Sequence, residues 1–487
     1  MSDFFFPLTF RNLIVNALPT DASLYGGAPA NKDIYLPGTH AKALNPNNML
    51  VEGIRGSGKS FWWAALQDPN QLEVIGQQVG LSKKTIVSVG FGDRPEPDSY
   101  PGRDALTALL EKDFDARRIW QTIVFQQIAT TQAPAAFKKI KDWSGRIQWV
   151  QNNPEAVEKI LFDIDNSLDA EKTFRLVLFD ALDRTSDQWT NLNKLVRGLL
   201  QVVLDFRPYK RLRLKVFARP DQLADPSVKT FPDSSKILTQ KISLDWSRRD
   251  LYGLLWQYLA NDVRTGKIFR GGCVTINHAN KWIKKNGVWL VPDDLRSNEE
   301  EQKSVFHAIT GPWMGKDKRR GFPYSWLPSH LADTLNKVSP RSFLAAIRHA
   351  ALDDNIRSGQ DYALHYESIK RGVQEASAIR VSELEEDYPW INTLFKPLDG
   401  LSVPCQFKDI EKIWKEQKIL VNLSKNITTS NVRLPPIHLK DGPKGVLRDI
   451  IALGLAEQIN DGRINLPDVY RVGYRMGRRG GVKPISA

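Results

Sequence analysis

Cysteine is nearly absent: Cys273 and Cys405 are the only two in 487 residues. Two thiols cannot build a disulfide framework or a four-ligand zinc site, and such a chain suits a reducing compartment. The expected location is the cytoplasm. Histidine is scarce too, seven residues dispersed along the chain, so no His-rich metal cluster is expected. No apolar run approaches the length of a membrane span, which leaves no membrane partner to expect. The start, Met1-Ser2-Asp3-Phe4-Phe5-Phe6-Pro7, lacks the basic head and long apolar core of a signal peptide. Internal repeats, low-complexity tracts and nuclease or protease constellations are absent as well.

What remains is a basic chain of ordinary globular composition. Hydrophobic residues make up 41% and charged residues 25%, and the net charge is +13. A length of 487 residues exceeds one ordinary core and implies several domains. The positive charge suits a polyanionic partner such as DNA, through phosphate neutralisation and counterion release; a basic surface that only confers solubility is the plainer alternative. The 14 tryptophans are scattered and read as core anchors rather than a base-stacking platform.

The richest stretch is Gly53-Ile54-Arg55-Gly56-Ser57-Gly58-Lys59-Ser60, which fits the phosphate-loop pattern GxxxxGK[ST]. Its glycines let the backbone curl so that N–H groups point inward at phosphate oxygens. Lys59 supplies a charge for the β- and γ-phosphates of ATP, and the Ser60 hydroxyl is a ligand for Mg²⁺. The apolar run Met49-Leu50-Val51 precedes the loop, and a proline-free run opening with Phe61 follows it, as a strand and a helix should. The nucleotide-contacting residues are therefore expected to be Gly53, Arg55, Gly56, Ser57, Gly58, Lys59, Ser60 and Phe61.

Downstream, Phe174-Arg175-Leu176-Val177-Leu178-Phe179 reads as a buried strand ending in Asp180. Asp180 is placed to hold Mg²⁺ through its water shell, and Asp183 to orient or deprotonate an attacking water. The alternative for Asp183 is a helix cap. Arg219 follows the predicted strand Leu212–Ala218 and either faces the γ-phosphate or a neighbouring subunit, or pairs with Asp221 on the surface. Arg341, in Ser339-Pro340-Arg341, opens a predicted helix and either swings onto nucleotide or pairs with an acidic neighbour.

The pattern along the chain predicts an α/β fold with a parallel sheet. Residues 1–46 form an irregular lead-in packing on the ATPase core, which occupies 47–246. Within that core, strands are expected near 85–89, 174–179, 212–218 and 237–244, with a helical stretch over 103–172 and a helix over 192–204. A helical lid is expected over 247–385, broken by a polar stretch near 292–303 and a Gly/Pro-rich one at 311–328, with a helix over 361–384. A separate basic domain follows over 386–487. There a helix is expected over 443–459, and Asp461-Gly462 signals a tight turn before Ile464, the pattern of the end of a winged helix.

These motifs together resemble the additional-strand P-loop ATPases of the AAA+, STAND and KAP groups, over roughly residues 35–375. The Walker B match Phe179-Asp180-Ala181-Leu182-Asp183-Arg184 is similar to the DxLD form of STAND and KAP proteins. Arg219 sits where that family's first sensor lies, and Ser339-Pro340-Arg341 resembles its second. The resemblance implies a sheet in the order 5-1-4-3-2, a helical lid, ATP with Mg²⁺, and self-association or nucleotide-driven switching. Two departures stand out. The stretch between Lys59 and Asp180 is longer than a compact core needs, which implies a helical insertion. Ala181 replaces the Walker B glutamate, which leaves catalysis to Asp183 and suggests slow turnover.

Residues 431–487 carry ten Lys/Arg against five Asp/Glu. Arg471, Arg475, Arg478, Arg479 and Lys483 lie in a stretch without an acid, with Tyr474 among them, and are the candidate DNA contacts. A solvated tail or a protein-docking module is the alternative. Two functions follow: an ATPase whose nucleotide state governs DNA binding or assembly, or a STAND-like switch that recruits a protein effector through its C-terminal domain, with slow hydrolysis indifferent to DNA. By family-level analogy alone, such ATPases also serve bacterial multi-protein systems acting against phages.

Overall fold

The computed structural model describes residues 4–20, 29–277, 281–355, 360–429, 434–478 and 482–484. Over those residues the chain divides into two compact units: Leu24–Asn31 with Leu36–Leu244, and Met1–Ser23 with Lys32–Tyr35 and Asp245–Ala487.

The first unit is built on five parallel strands, β1 (Leu50–Glu52), β2 (Ile86–Phe91), β3 (Arg175–Phe179), β4 (Leu212–Ala218) and β5 (Ile242–Ser243), in the order β2-β3-β4-β1-β5. That is the order 5-1-4-3-2. β3 is buried at every position, as its unbroken apolar run requires. The register Phe179↔Val216 and Glu52↔Ala218 aligns the carboxyl ends of β3, β4 and β1. Between β2 and β3 stand five helices, Arg103–Glu111, Ala116–Ile128, Ala135–Lys138, Trp143–Asn152 and Pro154–Ala170, which form the expected insertion. The insertion is tied into the sheet. Trp120 stacks edge-on against Phe179, and its indole N–H donates to Leu195 O at 2.8 Å. Asp165, on the last inserted helix, accepts the backbone N–H groups of Lys210, Arg211 and Leu212 at 2.9, 2.7 and 3.0 Å and so fixes the start of β4.

The second unit is helical around one apolar cluster. Tyr252, Trp256, Phe269, Phe306 and Phe343 are all fully buried there, joined by Phe6 and Phe10. The helix Tyr366–Asp387 packs along Pro340–Leu352, where Gly372 lies so close to Ala346 O that a side chain would collide.

Several expectations need correction. The lead-in is not irregular: Phe10–Ala17 is a helix within the second unit, and Gly38–Leu44 a helix within the sheet unit. Only Ile242–Ser243 of 237–244 is a strand, because Ile237 and Leu238 complete the helical turn Ser234–Leu238. The polar stretch near 292–303 holds two helices, Asp293–Ser297 and Glu299–Thr310, and the latter begins with three glutamates that suit its N-terminus. Within 311–328, Pro323 starts another helix, Pro323–Leu331. The helix expected over 361–384 is Tyr366–Asp387, and that over 443–459 is shorter, Gly442–Ala452.

Candidate functional site

The phosphate loop leaves β1 at Glu52, and Gly53 N–H donates to Ala218 O at 3.0 Å, which holds the loop against the end of β4. Gly56 and Gly58 have φ of 75° and 103°, a region that glycine enters without strain. A Cβ at Gly53 would run into Ser57 Oγ. The helix Lys59–Gln67 starts directly after Gly58, so its amide end opens on the loop. Trp62 anchors that helix: its indole N–H donates to Nδ1 of buried His40 at 3.0 Å, and the Phe61 ring lies edge-on beside it. Ser57 is buried, and Arg55, Gly56 and Phe61 are partly exposed.

Lys59 Nζ donates to the loop's own carbonyls, Gly53 O at 2.8 Å and Ile54 O at 3.0 Å. Burial pulls its pKa down to about 8; Arg219 adds to the fall, while Asp180, Asp183 and Asp221 oppose it. Asp180 ends β3 with its N–H on Phe91 O at 3.0 Å and is 4% exposed. Burial raises its carboxyl pKa, against the opposing pull of Lys59, a hydrogen bond with the Ser60 side chain and one from the Ala181 backbone. The two expected Mg²⁺ ligands thus lie near one another, and both are hard oxygen donors. Among the described residues no cluster of three or more His, Cys, Asp or Glu side chains is placed to hold a metal ion. A Mg²⁺ ion with its usual water shell and nucleotide phosphates needs only the pair present here.

Ala181 has φ of 54°, an uncommon conformation for alanine. This left-handed residue turns the chain into the short 3₁₀ segment Leu182–Arg184, burying Leu182 and leaving Asp183 partly exposed. Arg219, 7% exposed, sits one residue beyond β4. Its guanidinium lies 3.9 Å from Asp183 and 3.1 Å from Asp221, so the pairing with Asp221 is present and a second one with Asp183 accompanies it. Sequence reasoning gave Asp221 a part only as a partner of Arg219; the fold also makes it one of the acids that act on Lys59. Lys59, Ser60, Asp180, Asp183 and Arg219 thus share one end of the sheet.

Arg341 belongs to the helix Pro340–Leu352 of the second unit, where its guanidinium binds Glu383. At the C-terminus the strands Glu457–Gln458 and Ile464–Asn465 pair antiparallel around Gly462, and Cys405 adds a bridge to Ile464. Here the candidate DNA contacts separate. Arg471 is 0% exposed, bound to Asp468, Met476 O and Val482 O, and cannot reach a phosphate. Arg478 is taken up by Asp468, Asn465 and Leu466 O. Tyr474 is buried against Phe395. Arg475, paired at 3.6 Å with Asp399, and Lys483 keep exposed side chains, and Arg479 lies outside the described residues. Lys444 and Arg448 project from the helix before the hairpin; their spacing of four was the signal that could have found them.

No protein-family model and no curated protein matches the chain. Among solved structures it is similar to a Walker-type ATPase of Pyrococcus abyssi at 13% identity, covering 90% of this chain and 94% of that one, with a TM-score of 0.33. The ORC2 protein of Aeropyrum pernix, in ADPNP–ADP complexes, gives 13% identity, coverage of 86% and 84%, and a TM-score of 0.35. Cdc6p from Pyrobaculum aerophilum gives 11%, 95% of each chain and 0.28. These likenesses are slight, and the fold is identified instead by its own strand order, with the phosphate loop after β1 and the acidic turn after β3. The fold is that of a P-loop NTPase. Among the described residues no helix is long and apolar enough to cross a membrane.

Proposed function

We propose that the chain binds Mg-ATP at the loop Gly53–Ser60 and hydrolyses it, and that the nucleotide state governs DNA binding by the unit carrying residues 245–487. The placement of Lys59 at the head of the helix after the phosphate loop, with Asp180 just beyond β3 at the same end of the sheet, carries the nucleotide part of this reading. In the proposed roles, loop amides and Lys59 meet the phosphates, and Ser60 and Asp180 hold Mg²⁺, which draws charge from the γ-phosphate. Asp183 takes the proton of the attacking water, and Arg219 restrains Asp183 until nucleotide arrives. Arg341 is assigned the second-sensor role, for which it must leave Glu383.

The C-terminal elements support a winged helix: the bridge at Cys405, the helices Phe407–Glu416 and Gly442–Ala452, then the paired strands. Its exposed cations Lys444, Arg448, Arg475 and Lys483 are the proposed phosphate contacts. One observation favours a second reading, a nucleotide switch acting through a protein effector. Ala181 stands in place of a glutamate, and Asp183 is engaged by Arg219, a combination suited to slow turnover.

Calorimetric titration with Mg-ATP tests the site. Lys59→Ala should weaken binding about 10- to 100-fold, the worth of a charge-assisted contact of about 1.5–3 kcal/mol. Equal affinity in the variant would remove the loop from the nucleotide site.

A further inference from the structure

Between Val263 and Pro292 the chain has six Lys or Arg residues and no Asp or Glu. This stretch contains the helix Gly266–Ile276 and a hairpin of β6 (Ile283–Lys285) and β7 (Val288–Leu290). Asn286 and Gly287 close the hairpin with φ of 49° and 81°, the turn that Asn-Gly favours. Its register pairs Ile283 with Leu290 and Lys285 with Val288.

The hairpin is firmly seated. Trp289 N–H donates to Asn261 Oδ1 at 2.7 Å, and Trp289 O accepts from Asn261 Nδ2 at 2.8 Å. The Arg270 guanidinium covers the Trp289 ring at 4.1 Å, with Lys284 Nζ at 5.7 Å. Trp282 packs edge-on against buried Phe269. Beyond these contacts, Arg264, Lys267, Lys281, Lys284 and Lys285 are exposed. Among the described residues none of them, nor Arg270, forms an ion pair, whereas Arg471, Arg475 and Arg478 all do. Among the described residues these cations thus stand without an acidic partner, unlike the three C-terminal arginines.

We propose that this helix and hairpin form a contact surface for the phosphate backbone of duplex DNA. The proposal rests on the DNA part of the function above and adds a second surface to it. A rigid two-stranded ribbon fits a major groove, and unpaired lysines along it neutralise phosphates. Trp289 is covered by cations, so the element offers no stacking platform for single strands. The tip, Lys284-Lys285-Asn286-Gly287, bears charge without an apolar side chain, and the exposed apolar pair Ile283 and Leu290 lies behind it at the base of the hairpin.

The test is fluorescence anisotropy of labelled duplex DNA across a salt series. It compares the wild type, Lys281→Ala/Lys284→Ala/Lys285→Ala, the same three positions changed to Arg, and Lys444→Ala/Arg448→Ala. The lysine-to-alanine variant should bind about tenfold or more weakly and lose roughly two to three units from the slope of log K against log salt. The arginine variant should keep both, and unchanged melting temperatures would show intact folds. An alanine variant indistinguishable from wild type, with weakening only in Lys444→Ala/Arg448→Ala, would overturn the hairpin surface and leave the DNA reading standing. A wild type that binds no duplex at low salt would overturn both. Selective loss of binding to phosphatidylserine vesicles, with DNA binding intact, would reassign the hairpin to a membrane surface.

Discussion

Lys59 is poised between two electrostatic environments. With only backbone carbonyls as acceptors, burial holds its pKa near about 8. Triphosphate oxygens at the same amine stabilise its charged form and raise that value. Binding of Mg-ATP should therefore take up a proton above about pH 8 and almost none below about pH 7, and affinity should fall as pH rises through the free-state value. Asp180 acts in the opposite sense: burial raises its pKa, so metal affinity should fall as pH drops through that raised value. Titration calorimetry in alkaline buffers of differing ionisation heat checks the lysine. Uptake of most of a proton near about pH 9, lost in Lys59→Ala, is expected. Binding heats independent of buffer would mean that another cation meets the phosphates.

At the scale of elements, the nucleotide end of the sheet depends on buried polar clamps at the other end. Fully buried Lys215, in β4, donates to Ala43 O, Asn45 O and Asn48 O at 2.7, 2.7 and 2.5 Å, fixing the segment that leads into β1. Lys215→Ala leaves those carbonyls without their donor and should cost about 3–5 kcal/mol in urea unfolding; a loss below about 1 kcal/mol would show that the segment is held otherwise. Such clamps also explain what the sequence could and could not convey. The loop Gly53–Ser60 and the runs ending at Asp180 and Ala218 were legible because spacing and unbroken apolar runs are local signals. Phe10–Ala17 and Glu299–Thr310 were obscured by polar or Gly/Pro-rich surroundings, although each gains its helix from the apolar cluster it joins. The Asn286-Gly287 hairpin was signalled by its turn and passed over. The burial of Arg471 and the dual pairing of Arg219 depend on tertiary neighbours, which no local pattern announces.

For the whole molecule, the net charge of +13 becomes informative only once it is divided between cations with partners and cations without. Much of the C-terminal arginine cluster is consumed in holding its own module together, and Arg448 pairs with Asp441, while the lysines of the Lys281–Lys285 hairpin and Lys444 form no ion pair among the described residues. A nucleotide site in one unit and basic surfaces in the other are the parts a DNA-coupled ATPase needs. The most direct test is steady-state Mg-ATP hydrolysis by wild type, Lys59→Ala and Asp183→Asn, each with and without duplex DNA. The account predicts slow turnover in the wild type that DNA accelerates, none in Lys59→Ala, and about 100-fold or greater loss in Asp183→Asn, the usual worth of a general base. Hydrolysis in Lys59→Ala equal to wild type would contradict it.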